Sequence, residues 1–320
     1  MIIVTGAAGF IGSNIVNALY KLGLDVYVCD VKEHIISRKY FTLNKNFLDI
    51  KNIRSFIIKN HNQIDAIIHM GAISSTAEKN IKKLLNSNTL FSNNLFELCN
   101  KYTIKFIYAS SAATYGNENK LFNDENNLLN FIKLKPINYY GLSKHLFDLK
   151  VLEALNLHKS LPSSPVGLKF FNVYGENENH KGFMSSPIPK FYEQAKLNGV
   201  IKLFKSDNKN FKDGFQSRDF IYVKDCIDVI IWLIKNPVVY GIFNLGTGKS
   251  ETFLKLAQGV FDTLKIESKF KFIKTPTEIS SGYQYYTKAD LSNLRSAGYK
   301  KKFTPLKQGI NRYIKSYLDN

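Results

Sequence analysis

The first thirty residues constrain this chain more than any other stretch. They open on the apolar run Ile2-Ile3-Val4, which reads as a buried strand, and break into Gly6-Ala7-Ala8-Gly9-Phe10-Ile11-Gly12. Ile11, Ile15, Val16, Leu19 and Leu22 then recur at helical spacing. A second strand, Val26-Tyr27-Val28-Cys29, ends in Asp30. Strand, glycine turn, helix, strand and acid in that order make a dinucleotide-binding βαβ unit. Each part has a physical task. Gly6 takes a tight backbone turn, Gly9 lets the backbone approach a pyrophosphate, and Gly12 lets helix and strand pack closely. The helix start offers unpaired N–H groups and a positive dipole end to phosphates. Asp30 stands where a carboxylate accepts hydrogen bonds from a ribose.

The rest of the chain continues the alternation. Residues 65–69 form another buried strand, followed by Met70-Gly71-Ala72, whose small residues leave room for a cofactor crossing the strand ends. The spacing predicts a helix over 82–101, carrying Ser87 and Asn88, and a strand over 104–109 opening into Ser110-Ser111. A helix from about 138 to 156, a strand over 166–171 and a strand over 241–246 follow. Leu48-Asp49-Ile50 reads as a small turn of the kind that contacts adenine. The fold class expected is α/β: a doubly wound parallel sheet of Rossmann type with a second, smaller substrate domain. Residues 1–171 make the dinucleotide domain, 217–248 return to it, and 172–216 with 249–320 make the second domain. Gly246-Thr247-Gly248-Lys249-Ser250 invites a phosphate-loop reading, but Phe243 stands where that motif needs its first glycine. The reading is rejected.

Composition excludes several classes. No run of about 18 apolar residues occurs, so no membrane span is expected. The chain enters a strand without a basic leader, so no signal peptide is expected. Cys29, Cys99 and Cys226 are odd in number and unclustered, and the six histidines form no ligand-spaced pair. That argues for a reducing cytoplasm, without disulfides and without a metal site. The net charge of +18 comes from lysines scattered singly in a Lys-, Asn- and Ile-rich chain. Nucleic acid is therefore not expected as a partner, although a positive field favours an anionic nucleotide-sugar.

The chemistry rests on Tyr140 and Lys144, four apart and so on one helix face. An ammonium near a phenol favours phenolate and is expected to lower the tyrosine pKa. That makes a usable acid or base near neutrality. Ser111, at the C-terminal end of a strand, donates to the same substrate oxygen. Alone, a Tyr-x-x-x-Lys spacing means little. After the glycine turn and the serine-rich strand end, it carries weight.

Together, Gly6-x-x-Gly9-x-x-Gly12, Ser111-x-x-x-Tyr115-Gly116, Tyr140-x-x-x-Lys144 and Asn172-Val173-Tyr174-Gly175 resemble the extended short-chain dehydrogenases, which act on nucleotide-sugars. Within them, Met1 to Gly6, Tyr108 to Gly116, His180-Lys181-Gly182, Phe243 to Gly248, and Ala289 to Arg295 with Ala297-Gly298-Tyr299 resemble the ADP-L-glycero-D-manno-heptose 6-epimerase family nearly end to end. That resemblance implies an isomerase that oxidises C6 of an ADP-heptose with bound NADP (NAD being the alternative), then returns the hydride to the other face. It would supply lipopolysaccharide core synthesis as a homo-oligomer, a pentamer by resemblance. Lys181 matches the family's second acid/base. Besides the glycine turn and Asp30, the cofactor side would take Phe10, Ile11, Val31, Lys39, Met70, Gly71, Ala72, Ile73, Ser74, Ser87, Asn88, Lys144, Val173 and Lys181. The 2′-phosphate would lie near Lys32, Arg38 and Lys39. The substrate would meet Ser111, Asn172, Phe183, Lys190, Phe204, Lys205, Ser206, Asp207, Arg218 and Tyr283.

There are departures. Met70 stands where the family usually has an acid, Phe183 where a serine often follows Lys-Gly, and Lys190 where a histidine is usual. Extra residues, 213–217, precede Arg218. Two other readings compete. Another nucleotide-sugar epimerase or a 4,6-dehydratase keeps the same motifs, but a dehydratase normally carries Thr-Asp-Glu where Ser111-Ala112-Ala113 stand. A non-catalytic dinucleotide sensor commonly loses the Tyr or Lys, and both are here.

Overall fold

The computed structural model describes residues 1–31, 33–34, 46–116, 122–158, 161–276 and 284–319. Its first half alternates β1 (Ile2–Thr5), α1 (Phe10–Lys21), β2 (Val26–Asp30), β3 (Asn46–Asp49), α2 (Ile53–Asn60) and β4 (Ala66–His69). Next come α3 (Ile81–Leu84), a π-helical turn (Leu85–Leu90), α4 (Phe91–Lys101), β5 (Lys105–Ser111), α5 (Leu128–Ile132), α6 (Tyr139–Leu157) and β6 (Val166–Phe170). The second half holds β7 (Asn172–Tyr174), a 3-10 segment (Asn179–Met184), α7 (Pro187–Asn198), β8 (Ile201–Phe204), β9 (Ser217–Arg218), β10 (Phe220–Tyr222), α8 (Val223–Lys235) and β11 (Gly241–Leu245). It closes with β12 (Glu251–Thr252), α9 (Phe253–Leu264), β13 (Phe270–Ile273), α10 (Ser292–Ser296) and α11 (Leu306–Tyr313).

Seven strands form one parallel sheet in the order β11-β6-β5-β4-β1-β2-β3. The order reverses direction beside β1, so the crevice of a doubly wound sheet opens between the C-terminal ends of β1 and β4. Strand side chains alternate between faces. Val4, Ile68, Ile107 and Leu168 meet α1 and α8 through Ile15, Val16, Leu19, Ile227 and Ile230. Ile3, Ile67, Phe106 and Tyr108 meet α4 and α6 through Leu95, Phe96, Phe147 and Val151. Each such buried aliphatic contributes roughly 1.5–3 kcal/mol of transfer free energy. A separate core joins Phe191 and Tyr192 of α7, Leu256 and Phe261 of α9, Ile310 and Tyr313 of α11, and Tyr174 and Tyr222 of the β7/β10 pair. Ile11 and Val173 pack against both cores and tie them together.

Two expectations need correction. Residues 48–50 are no free turn: Leu48 and Asp49 end β3, an edge strand paired with β2, and a 3-10 turn starts at Ile50. Only Leu48 of that strand is buried, so its apolar signal is too short to read. The helix expected over 82–101 is broken by the π turn that carries Asn88 inward. The phosphate-loop lookalike, already rejected for its missing first glycine, wraps an internal carboxylate. Thr247 N–H and Oγ1 donate to Asp219 Oδ1 at 2.7 Å each, and Gly248 and Ala289 N–H groups donate to Oδ2 at 2.9 and 3.0 Å. Those backbone donors are spent within the fold. The three cysteines are buried and free. Among the described residues no group of acids, histidines and cysteines could hold a metal ion, and no helix is long and apolar enough to cross a membrane.

Candidate active site

The glycine turn lies at the end of β1. Gly6 has φ +64°, and a Cβ there would stand 2.5 Å from Gly71 N. A Cβ on Gly12 would stand 2.1 Å from the Gly6 carbonyl oxygen. Strand, turn and helix therefore close on each other only with hydrogen at both positions. Gly9 is the N-cap of α1 and brings no capping side chain, and no acid lies in the first helical turn. The N–H groups of that turn are left for an external anion, the arrangement a pyrophosphate fits. Asp30 ends β2 with its carboxylate engaged: Ala8 and Val31 N–H groups donate at 2.8 Å each, and His34 Nδ1 stands 3.3 Å away. One oxygen braces the glycine turn itself.

A network fixes the ends of β1 and β4 together. Gly71 N–H donates to Thr5 Oγ1 at 3.2 Å, and Thr5 Oγ1 and His69 Nδ1 are 2.6 Å apart. His69 Nε2 meets Ser92 Oγ at 2.9 Å, and Ser92 Oγ donates to the Asn88 carbonyl at 2.7 Å. Proton inventory assigns the tautomer: Ser92 spends its hydrogen on Asn88, so Nε2 donates and Nδ1 accepts from Thr5. Burial keeps the ring neutral, pushing its pKa down to about 3. Asn88 is fully buried. Its Oδ1 accepts from Ile73 N–H at 2.9 Å, and its Nδ2 donates to Ile73 O and Ser143 Oγ at 3.0 Å each. Asn88 thus holds the 70–74 loop against α6, with its amide bonded to Ile73 and Ser143. Ser74 is exposed, while Met70, Gly71, Ala72, Ile73 and Ser87 are half-buried.

Tyr140 and Ser111 meet beyond β5. Asn138 caps α6 by accepting Gly141 N–H at 2.7 Å, a bond worth about 1 kcal/mol. A Cβ on Gly141 would lie 2.6 Å from the Ala113 carbonyl oxygen, so its absence lets the helix start press against the Ser111 turn. The Ser111 hydroxyl lies close enough to the Tyr140 phenol to pull its pKa down. One helical turn on, Lys144 Nζ donates to the Ala109 carbonyl at 2.9 Å. The shift that this spacing implies is not the one the packed site produces. Burial raises the Tyr140 pKa above its ordinary value, against the pull of Ser111, with Asp148 adding to the rise. Lys144 is itself desolvated, its pKa lowered to about 8, and its ammonium is aimed at a carbonyl rather than at the phenol. The low dielectric outweighs the pull of Ser111.

Lys181 comes from the second half, on the 3-10 segment. Its Nζ lies over the Phe10 ring, 5.6 Å from the centroid, at the start of α1. Burial lowers its pKa, and Glu178 opposes the shift. Glu178 clasps the segment: it accepts from Gly175 N–H at 3.2 Å, Ser186 N–H at 2.6 Å and Ser186 Oγ at 2.7 Å. Asn177 Nδ2 donates to Ser13 Oγ at 3.1 Å, and Asn14 Nδ2 to the Glu176 carbonyl at 2.8 Å, which fastens this loop to α1. The structure thus brings Lys181 to the glycine-turn helix, and Tyr140 to Ser111.

Of the substrate-side residues, Asn172 begins β7, exposed, with Val173 half-buried behind it. Arg218 is buried on β9, bonded to the Ser217 carbonyl at 3.0 Å and stacked over Phe253 at 5.7 Å. Phe204 ends β8, and Ser206 N–H donates to Asp213 Oδ1 at 2.8 Å. Gln216 Nε2 donates to the Lys205 carbonyl at 3.1 Å. The extra residues 213–217 therefore hold the 204–207 turn, with Lys205 and Asp207 exposed on it. Lys190 is exposed on α7. Phe183 lies in the 3-10 segment. Lys32, Arg38, Lys39 and Tyr283 lie outside the described residues, as does the side chain of Phe183. The sequence pattern missed Thr5, His69, Asn138, Gly141 and Glu178. Asn138 had a signal, an N-cap residue just before an apolar helix. Thr5 and His69 had none, since each acts through a partner 64 positions away.

Comparison with known proteins agrees with this geometry. Residues 2–246 match the NAD dependent epimerase/dehydratase family. The ADP-L-glycero-D-manno-heptose-6-epimerase of Nitratidesulfovibrio vulgaris is 42% identical over 325 residues, covering 99% of this chain and 98% of its own. That of Fusobacterium nucleatum is 40% identical over 333 residues, with the same coverage of 99% and 98%. The crystal structure of the Helicobacter pylori ADP-L-glycero-D-manno-heptose-6-epimerase superposes with a TM-score of 0.80 at 26% identity, covering 98% of this chain and 95% of that one. The resemblance read from the sequence blocks is borne out.

Proposed function

Because the chain belongs to the NAD dependent epimerase/dehydratase family and is an epimerase by its relatives, we propose that it converts ADP-D-glycero-D-manno-heptose to the L-glycero epimer by transient oxidation at C6. The observation that carries the reading is the meeting of Tyr140, Ser111 and Lys144 at the end of β5, on the sheet edge that also bears the glycine turn. The first unit is residues 1–171 with 217–248; the substrate unit is 172–216 with 249–320. The product would feed lipopolysaccharide core assembly.

A bound nicotinamide dinucleotide supplies a reversible hydride acceptor. The α1 N-terminus and Asp30 would hold it, with residues 70–73 and Val173 alongside. Tyr140 would take the proton from the C6 hydroxyl as a phenolate, a form that burial makes costly to reach. Ser111 donates to the same oxygen and holds the resulting ketone. A ketone that turns over in the pocket would present its other face for reduction. Lys181 would then give the C6 oxygen its proton, after which solvent takes the proton from Tyr140 and returns one to Lys181, so that both groups are reset. Overall the cycle is redox-neutral. Incubating purified protein with ADP-D-glycero-D-manno-heptose and separating the C6 epimers by chromatography tests the reading; recovery of unchanged substrate at every pH between 6 and 9 overturns it.

Two further expectations follow. A redox-neutral cycle has no need to release its dinucleotide, so denatured protein is expected to yield NADP or NAD by mass spectrometry. If neither appears and neither raises the melting temperature, the proposal fails. Between the two, Asp30 disfavours a 2′-phosphate, whereas Lys32, Arg38 and Lys39 favour one. NADP is expected to bind more tightly; a smaller Kd for NAD means that Asp30 governs the choice. We also propose a homo-oligomer, a pentamer by family resemblance, which light scattering measures directly.

A further inference from the structure

Below the catalytic group lies a buried ion pair that the reaction as described does not use. Tyr140, Lys144 and Asp148 follow one another at intervals of four along α6, on one face. Asp148 and Lys169 of β6 are both fully buried, with Nζ 2.6 Å from Oδ2. Asp148 accepts two further bonds, from Tyr108 OH at 3.0 Å and Ser110 Oγ at 2.7 Å. Gly167 makes room for this, since a Cβ there would stand 2.5 Å from the Tyr108 hydroxyl. Lys169 also donates to Thr114 Oγ1 at 2.6 Å and lies over the rings of Tyr115 and Phe131. Thr114 Oγ1 in turn donates to the Ser111 carbonyl at 2.8 Å.

A fully buried ion pair is poor evidence for stability, because apolar residues of the same volume often serve as well or better. Its position offers another reason. Hydroxyls and an ammonium from β5 and β6 converge on one carboxylate, and that carboxylate stands one helical turn beyond Lys144. Burial weakens Lys144 as an ammonium, and Asp148 is the group that opposes this. The other charged or titratable groups facing this spot are His69 from β4, held neutral by burial; His145 of α6, facing Asp148 and Lys169; and Asp124 from the segment before α5, facing Lys169.

We propose that Asp148 and Lys169 are positioning residues: the carboxylate keeps Lys144 an ammonium, and Lys169, through Thr114, holds the Ser111 strand end against α6. This rests on the reading of Tyr140, Ser111 and Lys144 as the catalytic group.

The first measurement needs no substrate. Full-length protein labelled with ε-¹³C lysine and ζ-¹³C tyrosine is titrated by NMR, with Lys144 and Tyr140 assigned by the signals missing from Lys144→Met and Tyr140→Phe. In Asp148→Asn, removal of the negative charge destabilises the protonated lysine, so Lys144 is expected to titrate at lower pH than in the wild type. Tyr140 moves down as well. In epimerisation, kcat falls on the order of tenfold at neutral pH with KM within about twofold, and the alkaline limb moves to lower pH. Lys169→Arg keeps the charge and leaves both titrations in place. Since Asp148→Asn strands a buried lysine, the double variant Asp148→Asn/Lys169→Met, neutral and of similar volume, is the second measurement. It too is expected to lower the Lys144 titration. An unmoved Lys144 signal in either folded variant overturns the proposal, and so does failure of both to fold, which would make the pair structural. Should the titrations move while even wild-type protein leaves the ADP-heptose unchanged, the charge role stands and the epimerase reading falls.

Discussion

Tyr140→Phe is expected to abolish epimerisation while leaving the fold intact. The ring stays, so α6 keeps its seat against the Ser111 turn; only the hydroxyl near Ser111 is lost. A general acid–base group removed in this way costs about 10²-fold or more. Lys181→Met should cost as much, for a geometric reason. Inversion returns the hydride to the opposite face of one ketone, so the C6 oxygen is presented in two orientations. Tyr140 sits with Ser111 at the end of β5, and Lys181 over Phe10 at the start of α1. One group does not serve both orientations. The sharper measurement uses a nucleotide-sugar analogue with an aldehyde at C6, which two molecules can dismutate to acid and alcohol without inversion. Each single variant is expected to fail at epimerisation and to keep part of the dismutation. A Lys181→Met enzyme that epimerises at near wild-type rate would show that Lys181 only binds.

Gly6→Ala should leave a protein that no longer holds dinucleotide. Its φ of +64° alone costs roughly 1–3 kcal/mol for a side chain. The new Cβ would also meet Gly71 N at 2.5 Å, a backbone atom that Thr5 and Asn88 hold in place through their bonds to Gly71 and Ile73. We expect at least a 10²-fold rise in the cofactor Kd, about 3 kcal/mol, by calorimetric titration. Gly23→Ala is the control. It has a similar φ of +71° but nothing within 4 Å of its Cβ, so it should lose on the order of 1 kcal/mol of stability and no cofactor affinity. Equal loss of binding in both variants would mean that backbone strain, and not the β1–β4 junction, sets the affinity.

Much of this molecule is written locally. The parallel sheet and its strands β1, β2, β4, β5 and β6 follow from short apolar runs alternating with helical spacing, signals that neighbouring residues carry by themselves. The glycine turn, Asp30, Ser111, Tyr140 and Lys144 are legible for the same reason: each lies at a strand end or on one helix face, where chain order dictates place. The edge strand β3 and the π turn at Asn88 escaped, because one has a single buried side chain and the other depends on a bond to Ile73.

Charge state lay beyond the chain's order. Four-residue spacing puts Lys144 beside Tyr140, but the direction of the phenol's shift is set by how much water remains around it. That is a property of the packed interior, and burial reversed the expectation. Distant partners are the other case. His69 finds Thr5, Asp148 finds Lys169, and Asp219 fills the loop of Thr247 and Gly248 only once β1, β4, β6 and β11 stand in register. Local spacing places side chains along one element; the desolvation and pairing of polar groups across elements come into being only when the sheet closes.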